Sequence, residues 1–196
     1  FARQFDHVVD YKLRDVSPVE FRHAVINFFV EGGGGANVTL PHKPAAAEIV
    51  NDLSAREERA RAVNTIIRRS ATELYGENTD GIALVTDLTR NLGVTVTGVR
   101  LLILGAGGAV RGVLAPLLEQ EPREIRIANR TPERAQRLRE ECSDLGEISA
   151  SSFDEVDNQP WDVIINATAA SLAGEVPALP PHAVGPDTVC YDMAYG

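Results

Sequence analysis

A glycine-rich turn gives the clearest indication of chemistry in this chain of 196 residues. In LLILGAGGAVRG, residues 101–112, an apolar run leads into Gly105 and Gly107. These glycines permit a tight turn and the close approach of a pyrophosphate to the backbone, and a following helix would favour its negative charge through free amides and its dipole. Val110 stands where the dinucleotide-binding fingerprint has its third glycine, so a purely structural turn is the alternative. The order strand, turn, helix favours a dinucleotide site.

The next strand-like segment indicates which dinucleotide would bind. Proteins that bind NAD usually carry Asp or Glu about 20 residues after the glycines, where it holds the ribose hydroxyls. Here the segment ends in ANRTPER, with Asn129 in that position and Arg130 and Arg134 after it. Guanidinium groups suit bidentate contacts with phosphate, so the pattern predicts NADP, held through its 2′-phosphate. The alternative is that both arginines belong to the charged surface of a helix.

An oxidoreductase that uses a dinucleotide also needs a group that exchanges a proton with the substrate hydroxyl. The candidates in the first part of the chain are Lys43, Asp80, Asp52 and the histidines. Lys43 follows GANVTLPH, a short β-type run that a proline ends. Local sequence alone favours ordinary roles, a solvated lysine and, for Asp80 in ENTDG, a helix N-cap.

Strand-like and helix-like segments alternate along the chain and predict how these residues are positioned. Strands separated by helices of about 10–15 residues are typical of parallel βαβ units. We predict a two-domain α/β fold: a small α/β domain at residues 1–80, then a Rossmann-like domain with a parallel sheet at residues 81–196, entered through a connector helix from Gly81. The predicted strands are residues 7–13, the surroundings of Val38, and residues 63–67, 73–75, 101–104, 125–128, 163–165 and 189–191. The predicted helices begin at Ser17, near Ala45, at Ser54, at Gly81, after the glycine turn and at Thr131.

Composition narrows the class of partner. The formal net charge of −9 argues against nucleic acid or an anionic membrane as a general partner. No run of about 18 apolar residues is present, so we expect no membrane span. Cys142 and Cys190 are far apart, and the four histidines show no metal-ligand spacing. We therefore expect no metal site and reduced thiols in a cytoplasmic protein.

A series of motifs resembles the shikimate dehydrogenase family across essentially the whole chain. In order they are GANVTLPHK, AVNT, ENTDG, LGAGGAVRG, NRT, INAT and YDMAYG. The resemblance implies an NADP-dependent enzyme that reversibly reduces 3-dehydroshikimate to shikimate, on the route to chorismate and aromatic amino acids, as a monomer or homodimer. Two alternatives stay open: a quinate/shikimate dehydrogenase that uses NAD or NADP, and a non-catalytic NADP-binding module.

The resemblance also implies a role for particular residues. Lys43 would be the catalytic lysine with Asp80 as its partner, in a domain, residues 1–80, that binds the substrate. Thr39 and Asn64 would bind substrate hydroxyls, and Tyr195 would close over the substrate. The residues implied at the cofactor are Gly105, Ala106, Gly107, Gly108 and Ala109 for the pyrophosphate, Asn129, Arg130, Thr131 and Arg134 for the 2′-phosphate, and Thr168 and Met193 for the nicotinamide end.

The sequence departs from the family pattern at three places. The family has an N-terminal strand with a Ser-x-Ser segment that grips the substrate carboxylate, and a C-terminal helix with a substrate-binding glutamine. Neither is found here, and Ala169 stands where the family usually has serine. The chain also does not begin with Met. We expect a piece of a longer enzyme that binds NADP and, by itself, binds substrate poorly.

Overall fold

The computed structural model describes residues 2–54, 61–168, 170, 174–177 and 179–193. These residues form an α/β fold with a four-stranded sheet and a five-stranded sheet. The strands are β1 Gly35–Asn37, β2 Asp52–Leu53, β3 Thr65–Arg68, β4 Leu74–Glu77, β5 Arg100–Leu104, β6 Glu124–Ala128, β7 Ile148–Ser151, β8 Val163–Asn166 and β9 Val189–Asp192. The helices are α1 Phe21–Val30, α2 Lys43–Ala47, α3 Asp80–Thr86, α4 Gly108–Leu118 and α5 Pro132–Glu141, with a π-helical turn at Asp87–Asn91 and 3-10 turns at Ala2–Phe5 and Pro181–Ala183. The predicted α/β class is confirmed, and the sequence patterns missed β2 and β7.

The four-stranded sheet has the order β1-β3-β4-β2. The pairs β1/β3 and β3/β4 are antiparallel, while β2 runs parallel to β4. Helix α1 packs on this sheet through Phe21, Val25 and Phe29, whose spacing of i, i+4 and i+8 places them on one helix face. They share a buried cluster with Ile66 of β3. Gly32, with φ +101°, follows the helix and gives the left-handed conformation that ends it.

The predicted strand at residues 7–13 is wrong. This stretch joins neither sheet in the described part of the chain, and Val8 and Leu13 are 104% and 93% exposed. Alternating apolar residues form a strand only where a neighbour pairs with their backbone groups. Here the contact with the sheet is made by side chains, with the Tyr11 hydroxyl donating to Asn37 Oδ1 at 3.1 Å.

The N-terminal boundary of α1 differs from the predicted one. The Ser17 hydroxyl donates to the Glu20 carboxylate at 2.6 Å, and the Glu20 amide donates to the Ser17 carbonyl at 3.1 Å. Residues 17–20 therefore form a turn that precedes the helix, which begins at Phe21. The helix predicted from Ser54 falls on residues 55–60, outside the described residues.

The five-stranded sheet is parallel throughout and has the order β7-β6-β5-β8-β9. Its central strand, β5, contains the predicted apolar run 101–104, and every residue of that strand is buried. The chain places β6 and β7 on one side of β5 and then returns to place β8 and β9 on the other. This reversal creates a switch point between β5 and β8, where open α/β sheets bind ligands beyond the carboxyl ends of the strands.

Helix α3 connects the sheets. Leu84 of α3 and Leu88 of the π-helical turn belong to the core of the five-stranded sheet. At Gly81, an added Cβ would lie 2.5 Å from the Gly112 carbonyl oxygen and 2.7 Å from Pro116 Cγ. Only glycine permits this approach, so α3 lies directly against α4, the helix that follows the glycine turn.

A cluster of charged and aromatic side chains lies at the amino end of the five-stranded sheet. The Arg100 guanidinium carbon lies 4.1 Å from the centroid of the Trp161 ring, and Arg100 Nε donates to Glu124 Oε2 at 3.0 Å. Arg100 also donates to the Asp157 carboxylate. Burial acts to lower the pKa of Arg100, but the hydrogen bonds with Glu124 and Asp157 outweigh it and the pKa is raised. Trp161 is 1% exposed, as expected for the core residue that the sequence indicates.

Candidate active site

Lys43 and Asp80, 37 residues apart in sequence, form an ion pair in the structure. Lys43 Nζ donates to Asp80 Oδ2 at 2.6 Å, and the two side chains are 13% and 25% exposed. The other carboxylate oxygen, Oδ1, accepts a hydrogen bond of 2.7 Å from Asn64 Nδ2. Both oxygens of Asp80 are therefore engaged, and the lysine ammonium is held away from bulk water. A solvated lysine and an N-capping aspartate, the roles favoured by local sequence, do not describe this arrangement.

The elements around the pair explain how the side chains meet. Lys43 is the first residue of α2 and Asp80 the first residue of α3. Thr79, rather than Asp80, occupies the N-cap position. The Val63 amide donates to the Lys43 carbonyl at 3.0 Å, which joins α2 to the segment that enters β3. The starts of α2, α3 and β3 therefore lie close together around the ion pair.

The Asn78 side chain joins the segment before β3 to the start of α3. Its amide nitrogen donates to the Ala62 carbonyl at 2.9 Å, and its Oδ1 accepts from the Asp80 amide at 3.0 Å. Asn78 is 5% exposed, and a Cβ added at Gly112 would lie 2.6 Å from its Nδ2. The residue that orients the Asp80 backbone therefore also touches α4. Asn78 is the second residue of the ENTDG motif, which is the signal that could have identified it.

Asn64, buried to 8% exposure, is at the centre of the hydrogen bonds around Asp80. Its Nδ2 also donates to Thr79 Oγ1 at 3.1 Å, and its Oδ1 accepts from the Thr79 amide at 3.0 Å and from Thr65 Oγ1 at 2.8 Å. A primary amide has two donor hydrogens and one acceptor oxygen. Asn64 uses all of them within the protein, so it holds the Asp80 carboxylate in a fixed orientation.

Other polar candidates from the sequence occupy different positions. Thr39 is exposed, and its carbonyl accepts from the His42 amide at 2.9 Å. The His42 ring stacks on Phe21 at 4.4 Å, with Nε2 2.9 Å from the Val16 carbonyl oxygen. Asp52 pairs with Arg69 at 2.8 Å on an exposed surface. Neither Asp52 nor His42 is therefore held at Lys43 by these contacts. Tyr195 lies outside the described residues.

The glycine turn has the shape that a pyrophosphate requires. Gly105 has φ +109°, and a Cβ there would lie 3.1 Å from the Ala167 carbonyl oxygen, so a side chain would be strained in conformation and crowded against that oxygen. A Cβ added at Gly107 or Gly108 would meet nothing within 4 Å, which leaves open space beside the turn. Helix α4 begins at Gly108, and no side chain caps its first amides. These amides remain available to an anion.

The end of β6 presents cationic side chains. Arg130 and Arg134 are exposed, and neither forms an ion pair with any residue that the structure describes. Asn129 Nδ2 donates to the Thr131 carbonyl at 2.8 Å, and the Asn129 amide donates to the Ser151 carbonyl at 3.1 Å. The loop after β6 is thereby fixed, while the guanidinium groups of Arg130 in that loop and of Arg134 in α5 are free to bind a phosphate. The donor set fits NADP.

Asn166 organises the carboxyl ends of β8 and β9. Its Oδ1 accepts from the Thr168 amide at 3.1 Å and from the Thr168 hydroxyl at 2.7 Å, while its Nδ2 donates to Asp192 Oδ2 at 3.0 Å. The Met193 amide donates to the Asn166 carbonyl at 2.9 Å. Thr168 and Met193 are thus both joined to Asn166 at the carboxyl ends of β8 and β9. Asn166 stands in the INAT motif, in which the family resemblance implies a role only for the threonine.

Two further expectations concern metals and membranes. In the described ranges, no group of three or more His, Cys, Asp or Glu residues is arranged to hold a metal ion. None of the helices in the described part of the chain has the length and hydropathy that a membrane crossing requires.

The fold and this geometry define a class of protein. It is the class of oxidoreductases that bind a dinucleotide at the switch point of a parallel sheet and carry a proton-exchanging group on a second sheet.

Within that class, the chain belongs to the shikimate dehydrogenase family. Residues 1–66 match the shikimate dehydrogenase substrate binding domain, and residues 87–173 match the family described as shikimate/quinate 5-dehydrogenase. Two similar relatives are the shikimate dehydrogenases (NADP(+)) of Methylococcus capsulatus, 47% identical over 195 residues, and of Alkalilimnicola ehrlichii, 48% identical over 196 residues. The alignments cover 100% of this chain and 70% and 72% of those proteins, respectively.

Solved structures agree with this membership. An Ael1 enzyme from Pseudomonas putida is 38% identical, with a TM-score of 0.92 over 100% of this chain and 71% of that chain. A shikimate 5-dehydrogenase from Thermus thermophilus, in complex with NADP(H) and shikimate, is 27% identical, with a TM-score of 0.83 over 97% of this chain and 69% of that chain.

Proposed function

We propose that this chain is an NADP-dependent oxidoreductase that interconverts 3-dehydroshikimate and shikimate in the biosynthesis of aromatic compounds. The observation that carries the proposal is the shielded Lys43–Asp80 pair, oriented by Asn64, in a chain whose five-stranded sheet fits NADP. The relatives named as shikimate dehydrogenase (NADP(+)) support the choice of substrate and cofactor.

In this proposal the four-stranded sheet belongs to the part that binds the substrate and the five-stranded sheet to the part that binds the cofactor. Residues 1–80 bind the substrate and supply the proton-exchanging group, and residues 81–196 bind the cofactor. The connector helix α3 begins at Asp80, the last residue of the first part. The match of residues 1–66 to a substrate binding domain supports the first assignment. The parallel sheet with its switch point supports the second.

The cofactor would be held along the carboxyl edge of the five-stranded sheet. The turn from Gly105 to Ala109, including Ala106, Gly107 and Gly108, binds the pyrophosphate through backbone amides. Asn129, Arg130, Thr131 and Arg134 hold the 2′-phosphate, while Thr168 and Met193 line the nicotinamide end. When bound, NADPH supplies the hydride that reduces the substrate carbonyl carbon.

Lys43 exchanges the proton that accompanies reduction. In the reductive direction, Lys43 Nζ donates a proton to the oxygen that develops negative charge, and it accepts the proton back in the oxidative direction. Asp80 accepts the hydrogen bond that fixes the ammonium in place. Because the pair is mostly shielded from water, its electrostatic effect on the reacting oxygen is stronger than it would be at an exposed site.

Polar residues of the chain would bind the substrate hydroxyls. Asn64, beside the pair, and Thr39, in the segment after β1, contact them, and Tyr195 closes over the substrate. Since Asn64 already uses both amide hydrogens, its contact with a hydroxyl would replace the 3.1 Å bond to Thr79 Oγ1. The bond to Asp80 would then be retained.

The test is the reduction of NADP⁺, followed by the absorbance of the reduced nicotinamide, with shikimate and quinate offered separately. The assay is run on this chain and on the whole gene product that contains it. We expect reduction that depends on shikimate. Reduction with quinate alone would change the substrate, and reduction with NAD⁺ as readily as NADP⁺ would contradict the role of the arginines. Binding of NADPH without turnover in either protein would favour a cofactor-binding module.

A further inference from the structure

We propose that the hydrogen bond between Asp87 and Tyr191 is a positioning contact that sets the nicotinamide end of the cofactor site relative to Lys43 and Asp80. The inference rests on the proposed function, because it uses the assignment of Thr168 and Met193 to the nicotinamide end. It assigns a role to Asp87 and Tyr191, which position other residues of the site and do not touch the reacting atoms.

The contact joins two distant segments. The Tyr191 hydroxyl donates to Asp87 Oδ2 at 3.0 Å across 104 residues of sequence. Asn91 Nδ2 donates to the other oxygen, Oδ1, at 2.7 Å. The Asn91 bond and then the Tyr191 bond hold the pKa of the Asp87 carboxyl below its ordinary value. The carboxylate is therefore charged near neutral pH and bound on both oxygens.

The Asp87 end of the contact belongs to the connector. Asp80 is the first residue of α3, and Asp87 follows the last residue of that helix. Asp87 also begins the π-helical turn, a conformation that is rare and often found at functional sites. A movement of Asp87 along the helix axis is therefore transmitted to the carboxylate that holds Lys43.

The Tyr191 end belongs to the cofactor site. Tyr191 lies in β9, two residues before Met193, and its neighbour Asp192 accepts a hydrogen bond from Asn166. Asn166 in turn binds Thr168 and the Met193 amide. Met193 thus follows directly from the strand that Tyr191 anchors, and Thr168 is linked to that strand through Asn166.

The position of β9 explains why such an anchor matters. In the described sheet, β9 is an edge strand and has ladder bonds only to β8. A strand that is paired on one side is less constrained than a central one. The Tyr191 hydroxyl adds a second attachment, to the helix that packs against the same core.

The experiment removes the hydroxyl with Tyr191→Phe and measures dissociation constants for two ligands, NADPH and 2′,5′-ADP. The second ligand has the adenosine phosphates and lacks the nicotinamide. We expect Kd for NADPH to rise about threefold to tenfold while Kd for 2′,5′-ADP stays unchanged, a coupling of ordinary size. In turnover, kcat should fall by a similar factor, with the KM for shikimate unchanged.

Tyr11→Phe is the matched control, because it removes a tyrosine hydroxyl that donates to Asn37 on the other sheet. Asp87→Ala supplies a second variant and closes a double-mutant cycle with Tyr191→Phe. If the contact acts as proposed, the double variant has the same ratio of the two dissociation constants as either single variant. A purely structural role would lower the melting temperature and leave that ratio at the wild-type value.

The outcomes separate the two proposals. Equal changes in both dissociation constants, or no change in either, would overturn the positioning contact. A wild-type chain that binds NADPH but reduces no NADP⁺ with either substrate would overturn the proposed function, and the ratio of dissociation constants would still decide the positioning contact.

Discussion

Lys43 differs sharply from Lys12, the other lysine of the chain. The Lys43 side chain is 13% exposed and that of Lys12 is 72% exposed. Lys43→Ala is expected to lower kcat by about two to four powers of ten, the range of general acid–base catalysis. The Kd for NADPH should stay unchanged, because the substituted group lies on the substrate side. Turnover at the wild-type level would make Lys43 a structural partner of Asp80, and Lys12→Ala provides the matched control.

Arg130 is the residue on which the choice of dinucleotide can be tested. Arg130→Ala is expected to raise the KM for NADPH by about tenfold to a hundredfold, because it removes hydrogen bonds to a charged phosphate. The KM for NADH should change little. Arg137→Ala, which substitutes another exposed arginine on α5, serves as the control. Equal effects on the two cofactors would show that Arg130 does not contact the 2′-phosphate.

Residue types and spacing predicted the candidate site only in part. The glycine turn could be read from sequence because its conformation is local: Gly105 needs a positive φ wherever the fold places it. The Lys43–Asp80 pair could not be read locally, since tertiary structure brings the two residues together across 37 positions. Family resemblance supplied that pairing. Asn166 was missed because its hydrogen bonds depend on the register of β8 with β9.

At the scale of elements, the contact between α3 and α4 depends on the absence of a side chain at position 81. Gly81→Ala should lower the free energy of unfolding by about 1–3 kcal/mol, the usual cost of overpacking. Gly34→Ala is the control, because a Cβ there meets nothing within 4 Å. Urea denaturation of both variants measures the difference. A neutral result at Gly81 would show that α3 can move away from α4 without cost.

The stability contributed by the Tyr191–Asp87 hydrogen bond, which joins β9 to the π-helical turn, should depend on pH. A carboxyl group whose folded-state pKa is lowered contributes stability that is complete above its unfolded-state pKa, about 3.9, and is lost as the pH falls through the lowered value. The melting temperature of Asp87→Ala should therefore lie below that of the wild type near neutral pH, and the gap should narrow in acid. A gap that stays constant from pH 7 to pH 3 would exclude a contribution from the charge.

The elements that sequence patterns identified are those with strong local signals. The apolar run of β5 and the i, i+4, i+8 face of α1 were found because burial imposes a period. Strand β2 has two residues and β7 reads ISAS, so neither carries a pattern that differs from a loop. Apolar and polar residues do alternate within residues 7–13, but no strand of the described chain pairs with their backbone, so they form no strand.

At the scale of the whole molecule, the described chain has one buried cluster on the four-stranded sheet and two on the five-stranded sheet, and no cluster is shared between the sheets. Phe21, Val25 and Ile66 belong to one cluster, while Leu84 and Leu88 belong to the core of the five-stranded sheet. The connector is thus part of the second core even though its first residue, Asp80, serves the first sheet. This supports the proposed boundary after residue 80.

The stacking of Trp161 beneath Arg100 has an optical consequence. It is the single tryptophan of the chain and lies just before β8, so its emission originates from the five-stranded sheet alone. The carboxyl end of that strand is about 16 Å away, at the rise per residue of a parallel strand. Reduced nicotinamide absorbs in the range where tryptophan emits, and NADP⁺ does not. Titration with NADPH should therefore quench Trp161 by energy transfer, while NADP⁺ leaves the emission almost unchanged. The fluorescence of Trp161 therefore reports, without an added label, which oxidation state of the cofactor is bound.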